Sequence, residues 1–288
     1  MRRHHERLPN VRAIPFYLNF RKLTISAMLT LMAVDESSKT PLYLAEVEKI
    51  LRMMQKSNGG DTVLDYAAFK KKIKEAGFTR DQMQPLQIRL NILDSFLDLN
   101  GTAEEPTYEP GEVTIMDLSD DTMSSSTACA LFKLGMNDYL GSSAKGKMIV
   151  LDEAHKYMQD TPGAHLFTQG LKRVVTQMRH YGCRVVISTQ EPTVANELIA
   201  LCSITIMHRF TSPAWFSALK KHISVMEDNS NIMEQIEGLN TGEALVYAPG
   251  AVLGKNVDDS LVKATAQLLR IVVRDRLTQD GGESILAV

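Results

Sequence analysis

Nowhere in the chain do apolar residues run for the roughly 20 positions that a membrane-spanning helix requires. The nearest approach is residues 23–34, LTISAMLTLMAV, which is too short to span and too far from the first residue for an ordinary secretory signal. It reads as a buried helix. Cysteine is almost as scarce. Cys129, Cys183 and Cys202 are far apart and form no Cys-x-x-Cys pair, which argues against a disulfide framework and against a zinc site. They read as reduced core thiols of an intracellular protein, cytoplasmic or nuclear. Excess positive charge is also missing. The chain has 32 Lys and Arg against 34 Asp and Glu, a net charge of −2, so it carries no global basic coat for nucleic acid. A local basic face is compatible with that total. No internal repeat is present.

The 288 residues, 44% of them hydrophobic, can bury one large domain core or two ordinary ones. Their pattern changes along the chain. Residues 1–21 form a leader: a basic, solvated MRRHHER and then a short extended piece, AIPFYLNF. Residues 22–100 read as a helical subdomain. PLYLAEVEKILRMMQ places Leu44, Val47, Ile50, Leu51 and Met54 at helical spacing. Pro41 stands near its start and NGG at 58–60 closes it. YAAFKKKIKEAGF puts Phe69 and Ile73 on one face and Lys70 to Lys72 on a solvated one. QPLQIRLNILDSFLDL continues with Leu86, Leu90, Leu93, Phe96 and Leu97. NGTAEEPTYEPG at 100–111 is a loop.

From 111 to 288 strands alternate with helices. EVTIMDLS, ending near Asp117, MIVLDEA, CRVVISTQ, SITIMHRF and GEALVYAP read as strands; 123–140, 164–181, 193–201, 213–223, 229–238 and a closing 259–277 read as helices. Short apolar strands in this alternation imply an α/β fold with a mostly parallel sheet covered by helices on both faces.

In such a sheet ligands bind at the C-terminal strand edges. KMIVLDEAH runs four apolar residues into Asp152 and Glu153. An Asp there can hold Mg²⁺, and the adjacent Glu can orient and deprotonate a water. The plainer reading is a helix start whose two acids favour the helix dipole. The next strand ends in Gln190, placed to sense a phosphate or simply a polar strand end. Arg209, after Met207-His208, and Arg179, in QMRHYGCR, are either phosphate-facing cations or surface arginines. Lys172, Arg173, Arg179 and Arg184 form a local basic cluster that a solvated helix face explains as well as DNA does.

A phosphate loop, Gly-x-x-x-x-Gly-Lys-Ser/Thr between a strand and a helix, has one near match in GSSAKGKM at 141–148. Met148 stands where the magnesium-binding hydroxyl belongs, and the segment lies between a helix and a strand rather than the reverse. The magnesium and water half of an ATPase site is therefore present without its phosphate cradle.

GKMIVLDEAHKYM, QMRHYGCRVVISTQEP, ITIMHRFTSPAWFSALKKHI and LNTGEALVYAPG, together with the helical segment before them, resemble the HerA/FtsK branch of P-loop ATPases over roughly residues 20–255. The resemblance implies a RecA-like core over 111–288 with 22–100 as the family's helical insertion. It implies ATP and Mg²⁺ as cofactors, with Asp152 the Mg²⁺ ligand of a Walker B-type strand, Glu153 the catalytic base and Gln190 the γ-phosphate sensor. Asp152, Glu153 and Gln190 are then the nucleotide-binding set, and Arg179 and Arg209 are arginine-finger candidates. It also implies a hexamer-like homo-oligomeric ring acting on DNA or another polymer. The family's phosphate-loop strand is expected upstream of residue 1. The chain thus reads as the C-terminal, Walker B-containing part of an ATPase; the alternative is a hydrolysis-dead nucleotide-fold module that acts in protein assembly. The letters DEAH do not make it a superfamily 2 helicase, because no Ser-Ala-Thr strand and no second lobe follow.

Overall fold

Stripes of apolar residues at helical spacing build most of the first half of the molecule. In the computed structural model the described residues are 11–19, 24–32, 42–57, 64–118, 123–226, 231–265 and 267–274. The basic opening residues, Pro41 and the 58–60 stop lie outside them. Helices α1 (Ile25–Met32), α2 (Leu42–Ser57), α3 (Tyr66–Glu75) and α4 (Arg80–Phe96) bury the residues that the spacing selects: Val47, Ile50, Leu51 and Met54 from α2, Phe69 and Ile73 from α3, Leu86, Leu90 and Leu93 from α4. The Asp65 carboxylate caps α3 by accepting from the Ala68 amide at 2.9 Å. Lys70 is not wholly solvated. Its ammonium meets Asp94 at 2.6 Å, and the same carboxylate accepts from the Tyr66 hydroxyl at 2.6 Å. Burial, with that hydrogen bond and the Asp94 charge, pushes the Tyr66 phenol far up.

These helices do not close a core of their own. Helix α5 (Ser125–Gly141) inserts Ala130, Leu131 and Leu134 into the same cluster. Its other side meets α6 (Pro162–Thr176), where Phe132 packs edge-on to Phe167 at 5.2 Å between centroids. The two helices approach closely at Gly163, whose amide donates to Ser126 Oγ at 2.9 Å; a Cβ there would lie 2.2 Å from the Ser126 carbonyl oxygen. Only glycine fits.

Two parallel pairs complete this unit, Met1–Ser188. Strand β1 (Leu18–Asn19) pairs with β2 (Leu97–Asp98), and β3 (Lys147–Leu151) pairs with β4 (Cys183–Ile187), Lys147 opposite Cys183 and Leu151 opposite Ile187. The short helix α7 (Met178–Tyr181) leads into β4. Strand β3 buries Lys147, Ile149 and Leu151 and exposes Met148 and Val150, at 54% and 59%; Val186 of β4 is 45% exposed. One apolar face of this parallel pair is open.

The second unit, Thr189–Val288, holds α8 (Asn196–Leu201), β5 (Thr205–Met207), α9 (Pro213–Lys220), α10 (Ile232–Glu237) and β6 (Glu243–Tyr247). It ends in β7 (Val252–Lys255), β8 (Leu261–Lys263) and β9 (Leu268–Val272). Met207, Leu219, Ile223, Ile232, Ile236 and Leu245 form its core.

Three expectations are corrected. The sheets are small and mixed, since β5–β6–β9 and β7–β8 are antiparallel. The expected helix 259–277 is, over its described part, β8 and β9: apolar Leu268 to Val272 gain a complete antiparallel ladder against β6, and that pairing overrides a helical spacing. Residues 112–118 make no strand. Val113 and Ile115 are 86% and 83% exposed, while Met116 lies over Gly135 of α5.

The tight α5–α6 crossing gives a direct test. Gly163→Ala is expected to destabilise the protein by about 1–3 kcal/mol, the usual cost of overpacking, read as a lower urea midpoint at unchanged slope.

Candidate functional site

The acidic pair sits at the C-terminal end of β3, held by one residue of β4's continuation. The Ser188 amide donates to the Leu151 carbonyl at 2.8 Å, and the Ser188 carbonyl accepts from the Ala154 amide at 2.9 Å. In a regular parallel ladder those two partners would flank a single residue. Here Asp152 and Glu153 both fit between them, so the chain bulges outward. Glu153 takes up the excess length in the left-handed region, φ 51° and ψ 45°, an unusual setting for a non-glycine residue. Asp152 is exposed, and its Oδ1 accepts from the Glu153 amide at 3.0 Å.

The residues that follow anchor the bulge. Ala154–Tyr157 form a single 3₁₀ turn. His155 Nδ1 lies 3.3 Å from Glu153 Oε2, the imidazole being only 13% exposed. Tyr157 stacks on Phe132 at 5.7 Å and meets Phe167 edge-on at 6.3 Å, while the Cys129 thiol donates to the Tyr157 carbonyl at 3.5 Å. Burial raises the Tyr157 phenol, and the charges of Cys129, Asp152 and Asp117 push the same way. Burial also pushes the Cys129 thiol up, to about 11.

The lysine of the near-match phosphate loop is used elsewhere. Lys147 is buried, and its ammonium donates to the carbonyls of Leu140 and Ser142, each at 2.7 Å. It thereby satisfies the C-terminal end of α5. It stands at the N-terminal end of β3, about 13 Å of strand rise from Leu151. Arg179, exposed in α7, precedes the N-terminal end of β4 and so lies at that same far end. The structure does not bring Arg179 to the carboxylates of its own chain.

Gln190 and Arg209 belong to the second unit, and both are exposed. The Gln190 carbonyl accepts from the Trp215 indole N–H at 3.0 Å. Next to Arg209, Phe210 packs against Trp215 at 6.3 Å and His208 Nδ1 donates to the Glu243 carbonyl at 3.2 Å.

The donor set fits Mg²⁺ in one mode. Among the described residues no group of three or more His, Cys, Asp or Glu converges to hold a metal alone. Mg²⁺ that arrives on a nucleotide needs only one or two carboxylates, with phosphate oxygens and waters completing its shell, and the exposed Asp152 can serve there. No Gly-x-x-x-x-Gly-Lys-Ser/Thr segment stands in the 288 residues to cradle the phosphates. Tyr157, His155 and Trp215 escaped sequence reasoning, since nothing in their spacing distinguishes them from packing residues.

Two tests follow from the bulge and its anchor. Glu153→Gly is expected to stabilise the fold by about 1 kcal/mol by removing left-handed strain, whereas Glu153→Ala gains nothing; chemical denaturation compares them. Because the folded Cys129 thiol titrates near 11 against an ordinary 9, the unfolded chain loses this proton first. Stability from this group is therefore complete below pH 9 and declines as pH rises from about 9 through 11. Cys129→Ser should flatten that decline in melting curves against pH.

No protein-family model matches the chain, and no curated protein matches it in sequence. Solved structures do. The structure of VirB4 of Thermoanaerobacter pseudethanolicus superposes with a TM-score of 0.60 over 91% of this chain and 74% of that one, at 13% identity. The genome packaging NTPase B204 from Sulfolobus turreted icosahedral virus 2, in complex with AMPPCP, matches over 43% of this chain and 57% of its own, at 18% identity and a TM-score of 0.29. B204 of Sulfolobus Turreted Icosahedral Virus, the DNA-packaging ATPase, matches over 46% and 60%, at 18% and 0.31. The likeness to VirB4 is one of fold.

Proposed function

We propose that this chain, which shares the VirB4 fold, supplies the magnesium and water side of a HerA/FtsK-like P-loop ATPase and that polypeptide other than its described residues supplies the phosphate cradle. The observation that carries the reading is the bulge at Asp152 and Glu153. Two adjacent carboxylates are pushed out at a parallel strand's C-terminal end, one of them in strained backbone, and three aromatic rings pin the turn behind them. Strain of this kind is kept where a structure over-determines it for use.

In this reading Asp152 takes a coordination position on Mg²⁺. When bound, Mg²⁺ would supply the charge neutralisation that phosphoryl transfer needs. Glu153 holds the attacking water and accepts its proton, and His155 fixes the carboxylate's direction. Gln190 faces the terminal phosphate. Arg209 is the arginine-finger candidate; Arg179, at the other end of its own strand pair, acts only on a neighbouring copy's nucleotide, in a ring of copies. Movement of DNA or another polymer is the work such a motor performs, with Lys172, Arg173 and Arg184 as the local basic contacts. The open apolar face of β3 and β4 favours a second reading, a module that keeps the nucleotide fold for assembly and does not hydrolyse.

Calorimetric titration with Mg-ATP separates the two. The motor reading expects Asp152→Ala to weaken binding by at least about tenfold, since a metal contact is worth several kcal/mol, and Glu153→Gln to leave it nearly unchanged. Equal heats from wild type and Asp152→Ala favour the assembly module, whereas no heat from either means that this chain holds no nucleotide without the missing cradle.

A further inference from the structure

The only tryptophan of the chain, Trp215, performs two tasks at once. Its ring is partly buried and packed against the core cluster of the second unit. Its indole N–H reaches out of that core to the Gln190 carbonyl, 3.0 Å away and 25 residues earlier. We infer that Trp215 is the positioning residue of Gln190: it tethers the backbone of this exposed turn to the second core and links it to the segment that carries Arg209.

Beyond β4 the chain makes a tight local turn in which Thr189 Oγ1 donates to the Glu191 carbonyl at 3.0 Å and accepts from the Glu191 amide at 3.3 Å. Pro192 follows and has no amide to give. These bonds are local to the turn, and the indole adds a contact from 25 residues away. The donor is itself fixed. Ser212 caps α9 through the Trp215 amide at 3.4 Å, Pro213 opens the helix, and Leu219 seats it in the core. Phe210 packs on the indole at 6.3 Å, one residue from Arg209. The indole thus joins the Gln190 turn to α9, with Phe210, the neighbour of Arg209, packed on it. An indole is suited to this because it combines a large apolar body with one donor and no acceptor. The link to phosphate sensing rests on the reading of Gln190 given above; the tether does not.

Hydrogen exchange by NMR on the 288-residue chain tests the tether without nucleotide. Wild type should give one indole N–H signal, protected from exchange. In Trp215→Phe, which keeps a ring and removes the donor, the amides of Thr189, Gln190 and Glu191 should exchange about tenfold faster, as expected for local opening. Amides of α10 and β6 should stay as they were. An unprotected indole in wild type overturns the inference without any variant. So does an unchanged rate at 189–191, or a uniform acceleration throughout the second unit, which would make Trp215 a packing residue only. A Mg-ATP affinity that Asp152→Ala leaves unchanged would instead strike the sensor reading of Gln190 and leave the exchange result standing.

Discussion

Two backbone hydrogen bonds from Ser188 govern the chemistry this chain can do. By gripping Leu151 on one side and Ala154 on the other, Ser188 imposes a fixed gap on a strand end that has one residue too many to fill it. The surplus cannot go inward, because Leu151 and Ala154 are both buried. It goes outward and carries Asp152 and Glu153 with it. A slip of one residue in the β3–β4 register would restore a regular ladder and bury a carboxylate without a partner, a cost of several kcal/mol. The register is held by the alternation of Lys147, Ile149 and Leu151 on the buried face.

That grip in turn depends on the helices beneath. Helix α5 serves two cores. One side completes the N-terminal helical cluster, and the other meets α6 through Ser126, Phe132 and the glycine contact at 163. Tyr157 lies on this second side, so the turn after the acidic pair is seated on the same surface that joins the helical segment to the strands. The N-terminal helices therefore bear on the site through α5 rather than standing apart from it.

Much of this was legible in the residues. Helical spacing identified the buried faces of α2, α3 and α4, and the acidic strand end was evident from four apolar residues running into two carboxylates. The small glycine-lysine segment was rightly set aside, and Lys147 shows why: its partners are carbonyls of the preceding helix. What could not be read depended on partners distant in sequence. Leu268 to Val272 look helical until β6 offers them a ladder. Val113 and Ile115 alternate like a strand, yet no neighbour pairs with them among the described residues. The mixed character of the sheets follows from those same long-range choices. The bulge at Glu153 was hidden as well, because a residue in Ser188's position gives no sign of which carbonyl and which amide it will hold.

The open face of β3 and β4 has a consequence for handling and for the cell. Met148, Val150 and Val186, with Arg184 among them, present an exposed and largely apolar strip on strands that no further strand pairs among the described residues. Such a surface collects other chains indiscriminately when nothing covers it. Yield of well-behaved material should therefore depend on what is made alongside this polypeptide.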